Sequence, residues 1–322
     1  MSRWPRRRGA LDCAAGIIVS LSAAAVFLAL SFLAASVSPV AKAAPPQAGA
    51  SGQGRAECRQ VTSKILSRPV PYCIFLPPSY DANPTQKFPV LYFLHGLGEN
   101  EQILLNSDGW QIIEEAWGAK TLGEFIIVAP DAGRSFYVNA QDGKYRYEDF
   151  FIQEFLPAIE KNYRIKAARS TRGLEGISMG GYGALRFALK YPNLFGSVAV
   201  HSAALIDRPP TVQIDDRQQA AITRLVGTAF GRPFDRAYWT RENPFTLVRQ
   251  GPKPVGLKIY FDCGTEDDFG FNAGAQQFHD LLDQRKIPNE FHLYPGGHNW
   301  IYFVQHLPEG LEFESRAFGV GQ

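Results

Sequence analysis

The residues best placed to do chemistry are one serine, one histidine and a knot of carboxylates, and their order along the chain is that of nucleophilic acyl transfer. Gly176-Ile177-Ser178-Met179-Gly180 follows a short strand-like run, Arg172 to Gly176, and precedes a stretch with helical spacing, Gly181 to Tyr191. A serine at the turn from strand into helix is a nucleophile elbow. Glycines at both ends let the backbone turn sharply enough to hold the hydroxyl exposed in a strained conformation. The pentapeptide alone is a weak pattern, but here strand, turn and helix coincide. Ser178 is therefore the candidate nucleophile.

A hydroxyl is a poor nucleophile until a base takes its proton, so a histidine must reach it. The chain has six. His279 falls in a helical stretch, His292 in a strand, His201 at a strand end and His306 on the expected C-terminal helix, where satisfied structural histidines are common. His298, in Pro295-Gly296-Gly297-His298, follows the last strand-like run, Glu290 to Tyr294, where the chain order serine, acid, histidine puts the base. The acid belongs after the strand Gly256 to Phe261, and Asp262-Cys263-Gly264-Thr265-Glu266-Asp267-Asp268-Phe269 offers four carboxylates there. Spacing leaves Asp267 and Asp268 as alternatives. The cluster lacks the ligand spacing of a calcium loop, and the chemistry requires no metal or organic cofactor. N–H donors for the developing oxyanion are expected from Met179, next to the nucleophile, and from Leu97 in the turn His95-Gly96-Leu97-Gly98. His95 itself reads as a turn former.

The elements that must position these groups follow from periodicity. Lys87 to Leu94 and Phe125 to Ala129 are nearly continuous apolar runs, as in strands buried on both faces of a parallel sheet. Helical stretches at Gln111 to Trp117, Tyr147 to Tyr163 and Ala273 to Lys286 alternate with strands at Arg172, Gly196, Gly256 and Glu290, and a last helix begins near Trp300. The expected fold class is α/β: a mostly parallel central sheet covered by helices on both faces, preceded by an antiparallel hairpin over Glu57 to Leu76. Strand signals lapse at about 203–254, which reads as an insertion over the carboxyl edge of the sheet, where open α/β sheets bind ligands.

With 322 residues and no internal linker, the chain reads as one catalytic domain, 56–322, behind a leader. Residues 1–43 begin with a basic segment, continue uncharged from Cys13 to Ala41 and end in Ala41-Lys42-Ala43. That is the pattern of a cleaved secretory signal peptide, with an uncleaved membrane anchor as the alternative. Either places the domain outside the cytoplasm, periplasmic or extracellular. Residues 44–55, rich in Ala, Pro, Gly and Gln, read as a flexible tether. The net charge of +2 is carried by the leader, where Arg3, Arg6, Arg7, Arg8 and Lys42 face only Asp12. The remainder is mildly acidic and has no basic stripe, so nucleic acid is not an expected partner. Outside the leader stand Cys58, Cys73 and Cys263. Cys58 and Cys73 flank the hairpin turn, and spacing allows either a bridge between them or two buried thiols.

Taken together, Tyr72 to Tyr80, His95 to Gly98, Gly176 to Leu185, Gly264 to Phe269 and Gly297-His298 give the chain its likeness: it resembles the esterase D family of α/β-hydrolases. That family includes S-formylglutathione hydrolases, feruloyl and acetyl esterases, and mycolyltransferases. The resemblance implies Ser178 as nucleophile, His298 as base, and Leu97 and Met179 as oxyanion donors. It selects Asp267 as the acid, because family members carry it after a glutamate and two residues before a phenylalanine. The segment Phe136-Tyr137-Val138-Asn139 looks like a family segment near the pocket, making Tyr137 and Asn139 candidates for lining it. Glu175 departs from the family, which has a small or apolar residue there; an edge position or a salt bridge would accommodate it. The expected activity is exported serine carboxylic-ester hydrolysis on a small-molecule, carbohydrate or lipid ester. Transfer of the acyl group to a sugar or lipid alcohol and a non-catalytic binding role on a hydrolase scaffold are the alternatives.

Overall fold

The computed structural model describes residues 53–208 and 225–321. The leader expected over 1–43, most of the tether, and residues 209–224 of the insertion lie outside the described residues. Eight strands form one sheet in the order β1-β2-β4-β3-β5-β6-β7-β8. β1 (Arg55–Ser63) and β2 (Arg68–Leu76) are the expected antiparallel hairpin, and β2 pairs antiparallel with β4 (Ile126–Pro130). From there β3 (Val90–Leu94), β5 (Arg172–Ile177), β6 (Ser197–His201), β7 (Lys258–Gly264) and β8 (Glu290–Tyr294) run parallel.

The apolar runs are buried because both sheet faces are covered. Along β3, Val90, Tyr92 and Leu94 enter one layer and Leu91 and Phe93 the other, the period of two that a pleated strand imposes. The first layer is closed by the helix Met179–Lys190, through Leu185 and Phe187, and by Phe151 and Phe155. The second is closed by the helices Gly109–Gly118 and Trp300–Phe318, through Ile113, Trp117, Phe303 and Leu311.

Two strand-level differences from the sequence reading have physical reasons. β7 begins two residues late, after Gly256 at φ 67°, and runs on through Asp262 to Gly264. A charged residue fits in this interior strand because His201 Nδ1 lies 2.7 Å from Asp262 Oδ2. Glu175 is not at an edge, since β5 lies between β3 and β6. Its fully buried carboxylate takes the other arrangement expected of it, an ion pair, facing His201 Nε2 at 3.3 Å.

The described part of the insertion contains the helices Arg236–Glu242 and Pro244–Gln250, with Asp235 and Asn243 accepting the first free N–H groups. It is tied to the elbow helix by Arg186, which is fully buried between Glu148 (2.6 Å) and Glu242. Tyr182 adds a hydroxyl donated to the Glu242 carbonyl at 2.8 Å.

Cys58 and Cys73 are directly opposite in the β1–β2 register and form a disulfide. Cys58 is exposed, so two buried thiols were never available. The bridge closes a loop with a sequence separation of 15, a size worth about 3 kcal/mol in the chain-entropy model. Changing both residues to serine is expected to lower the urea-unfolding free energy by about that amount. An unchanged midpoint would show that the bridge adds nothing.

Candidate active site

Ser178 sits between β5 and the helix Met179–Lys190 with φ 52° and ψ −115°, outside the regions L residues favour. The turn leaves no room for side chains at its flanks. A Cβ on Gly176 would come 2.5 Å from the Gly180 carbonyl, and one on Gly180 would collide with the Leu94 carbonyl oxygen. The helix begins at Met179, two residues earlier than periodicity suggested, so the serine itself occupies the N-cap position.

His298 Nε2 lies 2.9 Å from Ser178 Oγ, and its Nδ1 lies 2.7 Å from Asp267 Oδ2. The imidazole can therefore donate to the carboxylate at one nitrogen while accepting the serine proton at the other. Asp267 is nearly surrounded by donors. Its Oδ1 accepts the N–H groups of Phe269 (3.0 Å) and Phe271 (3.2 Å), and the Cys263 thiol lies 3.6 Å from Oδ2. Burial alone would raise its pKa, but the His298 hydrogen bond and charge outweigh that and hold it below the usual carboxylate range. Asp268, the alternative that spacing left open, is exposed.

Two loops are stitched together to bring acid and histidine into register. The Glu266 carboxylate accepts the Gly296 N–H at 2.5 Å, and the Glu266 N–H donates back to the Gly296 carbonyl at 2.9 Å. Asn299 caps the helix Trp300–Phe318 through the Tyr302 N–H (3.1 Å), fixing the residue after His298. Around the imidazole stand Phe269, Phe271 and Phe303, edge-on, with ring centroids 4.8, 5.3 and 5.3 Å away. This collar restricts ring rotation and keeps water from the Asp267–His298 bond. Sequence reasoning missed Phe271 and Phe303; the signal was aromatic residues clustered within five positions of each triad candidate.

The two expected oxyanion donors come from adjacent segments, because Gly180 packs directly on the carbonyls of Leu94 and His95. Met179 opens a helix, where N–H groups lack intrahelical partners. Ahead of Leu97, the Gly96 N–H donates to the Glu99 carboxylate at 2.7 Å, which tightens the turn. Glu99 was not foreseen. His95 is buried and bridges this turn to the next loop, with Nδ1 2.8 Å from the Gly96 carbonyl and Nε2 accepting the Ala132 N–H at 2.9 Å. That pairing requires the neutral ring, which burial also favours by lowering its pKa.

Tyr137 and Asn139 are both engaged by neighbouring parts of the fold. Tyr137 is fully buried against Gly183, and its hydroxyl donates to the His95 carbonyl at 3.1 Å. Asn139 accepts the Asp149 N–H at 3.1 Å. Tyr137 thus braces the turn at His95, and Asn139 the start of the helix Tyr147–Phe150. Among the other histidines, His279 bonds Asn289 (2.8 Å) and His306 stacks on Tyr294 (4.3 Å).

With this geometry in place, comparison with known proteins gives a consistent answer. Residues 63–313 match the family model Esterase, described as "Putative esterase". An esterase of Mycobacterium tuberculosis is 31% identical over 245 residues, covering 70% of this chain and 51% of the relative, so the chain spans about half the length of that protein. An S-formylglutathione hydrolase of Bos taurus is 28% identical over 257 residues, covering 72% of this chain and 83% of its own. Among solved structures, a ferulic acid esterase superposes with a TM-score of 0.70 at 28% identity, covering 83% of this chain and 99% of that one. The S-formylglutathione hydrolase from Agrobacterium tumefaciens shares the fold, with a TM-score of 0.66 at 20% identity over 84% of this chain and 98% of its own. The chain belongs to the esterase family and carries its α/β-hydrolase fold.

Proposed function

We propose that the chain is an exported carboxylic-ester hydrolase working through an acyl-enzyme on Ser178. The observation that carries this reading is the unbroken hydrogen-bond chain from Ser178 Oγ through His298 to Asp267. Ser178 Oγ attacks the ester carbonyl as its proton passes to His298 Nε2. The N–H groups of Leu97 and Met179 receive the oxyanion, and the imidazolium returns the proton to the departing alcohol oxygen. Water, deprotonated by the same imidazole, then attacks the acyl-serine and releases the acid. Asp267 keeps Nδ1 protonated throughout and steadies the positive ring. Phe269, 64% exposed beside His298, offers an apolar surface next to the base, which favours aryl and alkyl esters.

The test is mass spectrometry of protein quenched during turnover of p-nitrophenyl butyrate. The expected product is a butyryl group on the peptide containing Ser178; an adduct confined to another residue overturns the assignment. Adding alcohols and analysing products separates hydrolysis from acyl transfer. Export rests on the leader's pattern, and the Cys58–Cys73 disulfide is in keeping with an oxidising compartment. N-terminal sequencing of protein recovered outside the cytoplasm should begin near Ala44.

A further inference from the structure

Glu175 and His201, which the reaction above does not use, meet beneath the elbow. We propose that His201 is a positioning residue for the hydrolysis: with Glu175, Asp262 and Tyr302 it forms a buried polar knot holding the segments that carry Ser178, Asp267 and His298 in one register. This rests on the serine-esterase reading.

The placement is specific. His201 ends β6, paired with Ile177 on one side and Asp262 on the other. Its Nδ1 lies 2.7 Å from Asp262 Oδ2 and its Nε2 3.3 Å from Glu175 Oε1, and the Tyr302 hydroxyl donates to Asp262 Oδ1 at 2.7 Å. Each partner lies a few residues from one member of the triad. Glu175 precedes Ser178 on β5, Asp262 precedes Asp267 on β7, and Tyr302 follows His298 in the first turn of the last helix. The His201 backbone joins in as well, since its carbonyl accepts the Ser178 N–H at 3.0 Å. A shift of the strand carrying Glu175 or Asp262 must therefore stretch a bond to the imidazole, and a shift of the Tyr302 segment stretches its bond to Asp262.

The knot is closed to solvent. His201 and Glu175 are fully buried and Asp262 is 1% exposed. Gly310 of the last helix lies over them so closely that a Cβ there would come 2.7 Å from His201 Nε2 and 2.9 Å from Glu175 Oε1. Burial would favour the neutral imidazole, but the charges and hydrogen bonds of Asp262 and Glu175 outweigh it and push the pKa up to about 10. An imidazolium donating at both nitrogens is the form that ties both neighbouring strands at once. Stability alone is a weak reason for such a cluster, because a well-packed apolar replacement of a buried ionic group is often neutral or stabilising. Geometry is the better reason, since a displacement of about 1 Å in a reacting group can cost on the order of a hundredfold in rate.

The experiment measures kcat and KM for p-nitrophenyl acetate in His201→Gln, Tyr302→Phe and Glu175→Gln, each normalised to the sites that a fluorophosphonate titrates. Per titrated site, kcat is expected to fall about a hundredfold in His201→Gln and about tenfold in Tyr302→Phe, with KM within about twofold. Glu175→Gln keeps a hydrogen-bonding oxygen and should lose less than about threefold. A purely structural role would lower the number of titratable sites and leave kcat per site at the wild-type value, and that result overturns the proposal. Should His201→Gln fail to fold, Tyr302→Phe, which removes one hydroxyl, decides. Wild-type protein that the reagent does not label at Ser178 would overturn the serine-esterase reading and this proposal with it; labelled wild type with unchanged variants overturns the positioning alone.

Discussion

Ser178→Ala is expected to lower turnover of p-nitrophenyl acetate by at least about 10⁴-fold, because removing the nucleophile of a serine triad costs on the order of 10⁶ and leaves only what oxyanion donors and binding supply. Alanine keeps the Cβ, so the elbow retains its geometry and the thermal midpoint should move little. The change acts on kcat per molecule, and circular dichroism of the variant should match that of the wild type. Turnover within tenfold of wild type would place the reaction on another residue and end the acyl-enzyme reading.

Asp267→Asn is expected to cost about 10⁴-fold in kcat, while Asp268→Asn should stay within about twofold. The argument lies in the hydrogen bonds. Oδ1 of Asp267 is committed to the N–H groups of Phe269 and Phe271, so the asparagine keeps its oxygen there and turns its NH₂ toward His298. That donor forces Nδ1 to become an acceptor and moves the ring proton to Nε2, where it faces Ser178 Oγ and cannot receive a proton. Asp268 is exposed and lies outside this chain of bonds. Since the Asp267 carboxyl is held below its ordinary range, it stays ionised as the medium becomes mildly acidic. Equal losses in the two variants would return the question to the open state that spacing left it in.

Much of the architecture was legible because its signals are local. Apolar runs marked β3 and β4, glycines around Ser178 marked the elbow, and the gap between Glu290–Tyr294 and the last helix marked the loop of His298. What was not legible depends on partners far along the chain. Asp262 read as one of four competing carboxylates and Glu175 as an edge residue or half of a salt bridge, and His201, on a third strand, is the partner that neither reading named. The aromatic collar likewise draws Phe271 and Phe303 from two separate helices, and neither spacing nor composition shows that both turn toward one imidazole. Glu99 was hidden for a related reason: an exposed-looking acid in a loop gains meaning only once its carboxylate is seen closing the turn at Gly96.

The backbone at residue 178 carries a further consequence. An L residue held at φ 52° and ψ −115° sits about 1–3 kcal/mol above a relaxed conformer, whereas glycine adopts that region freely. A Ser178→Gly protein gains that relief when folded and gives back part of it to the freer unfolded chain, so its resistance to urea should rise by less than the strain itself. In the proposed mechanism the serine therefore presents its hydroxyl at the expense of stability.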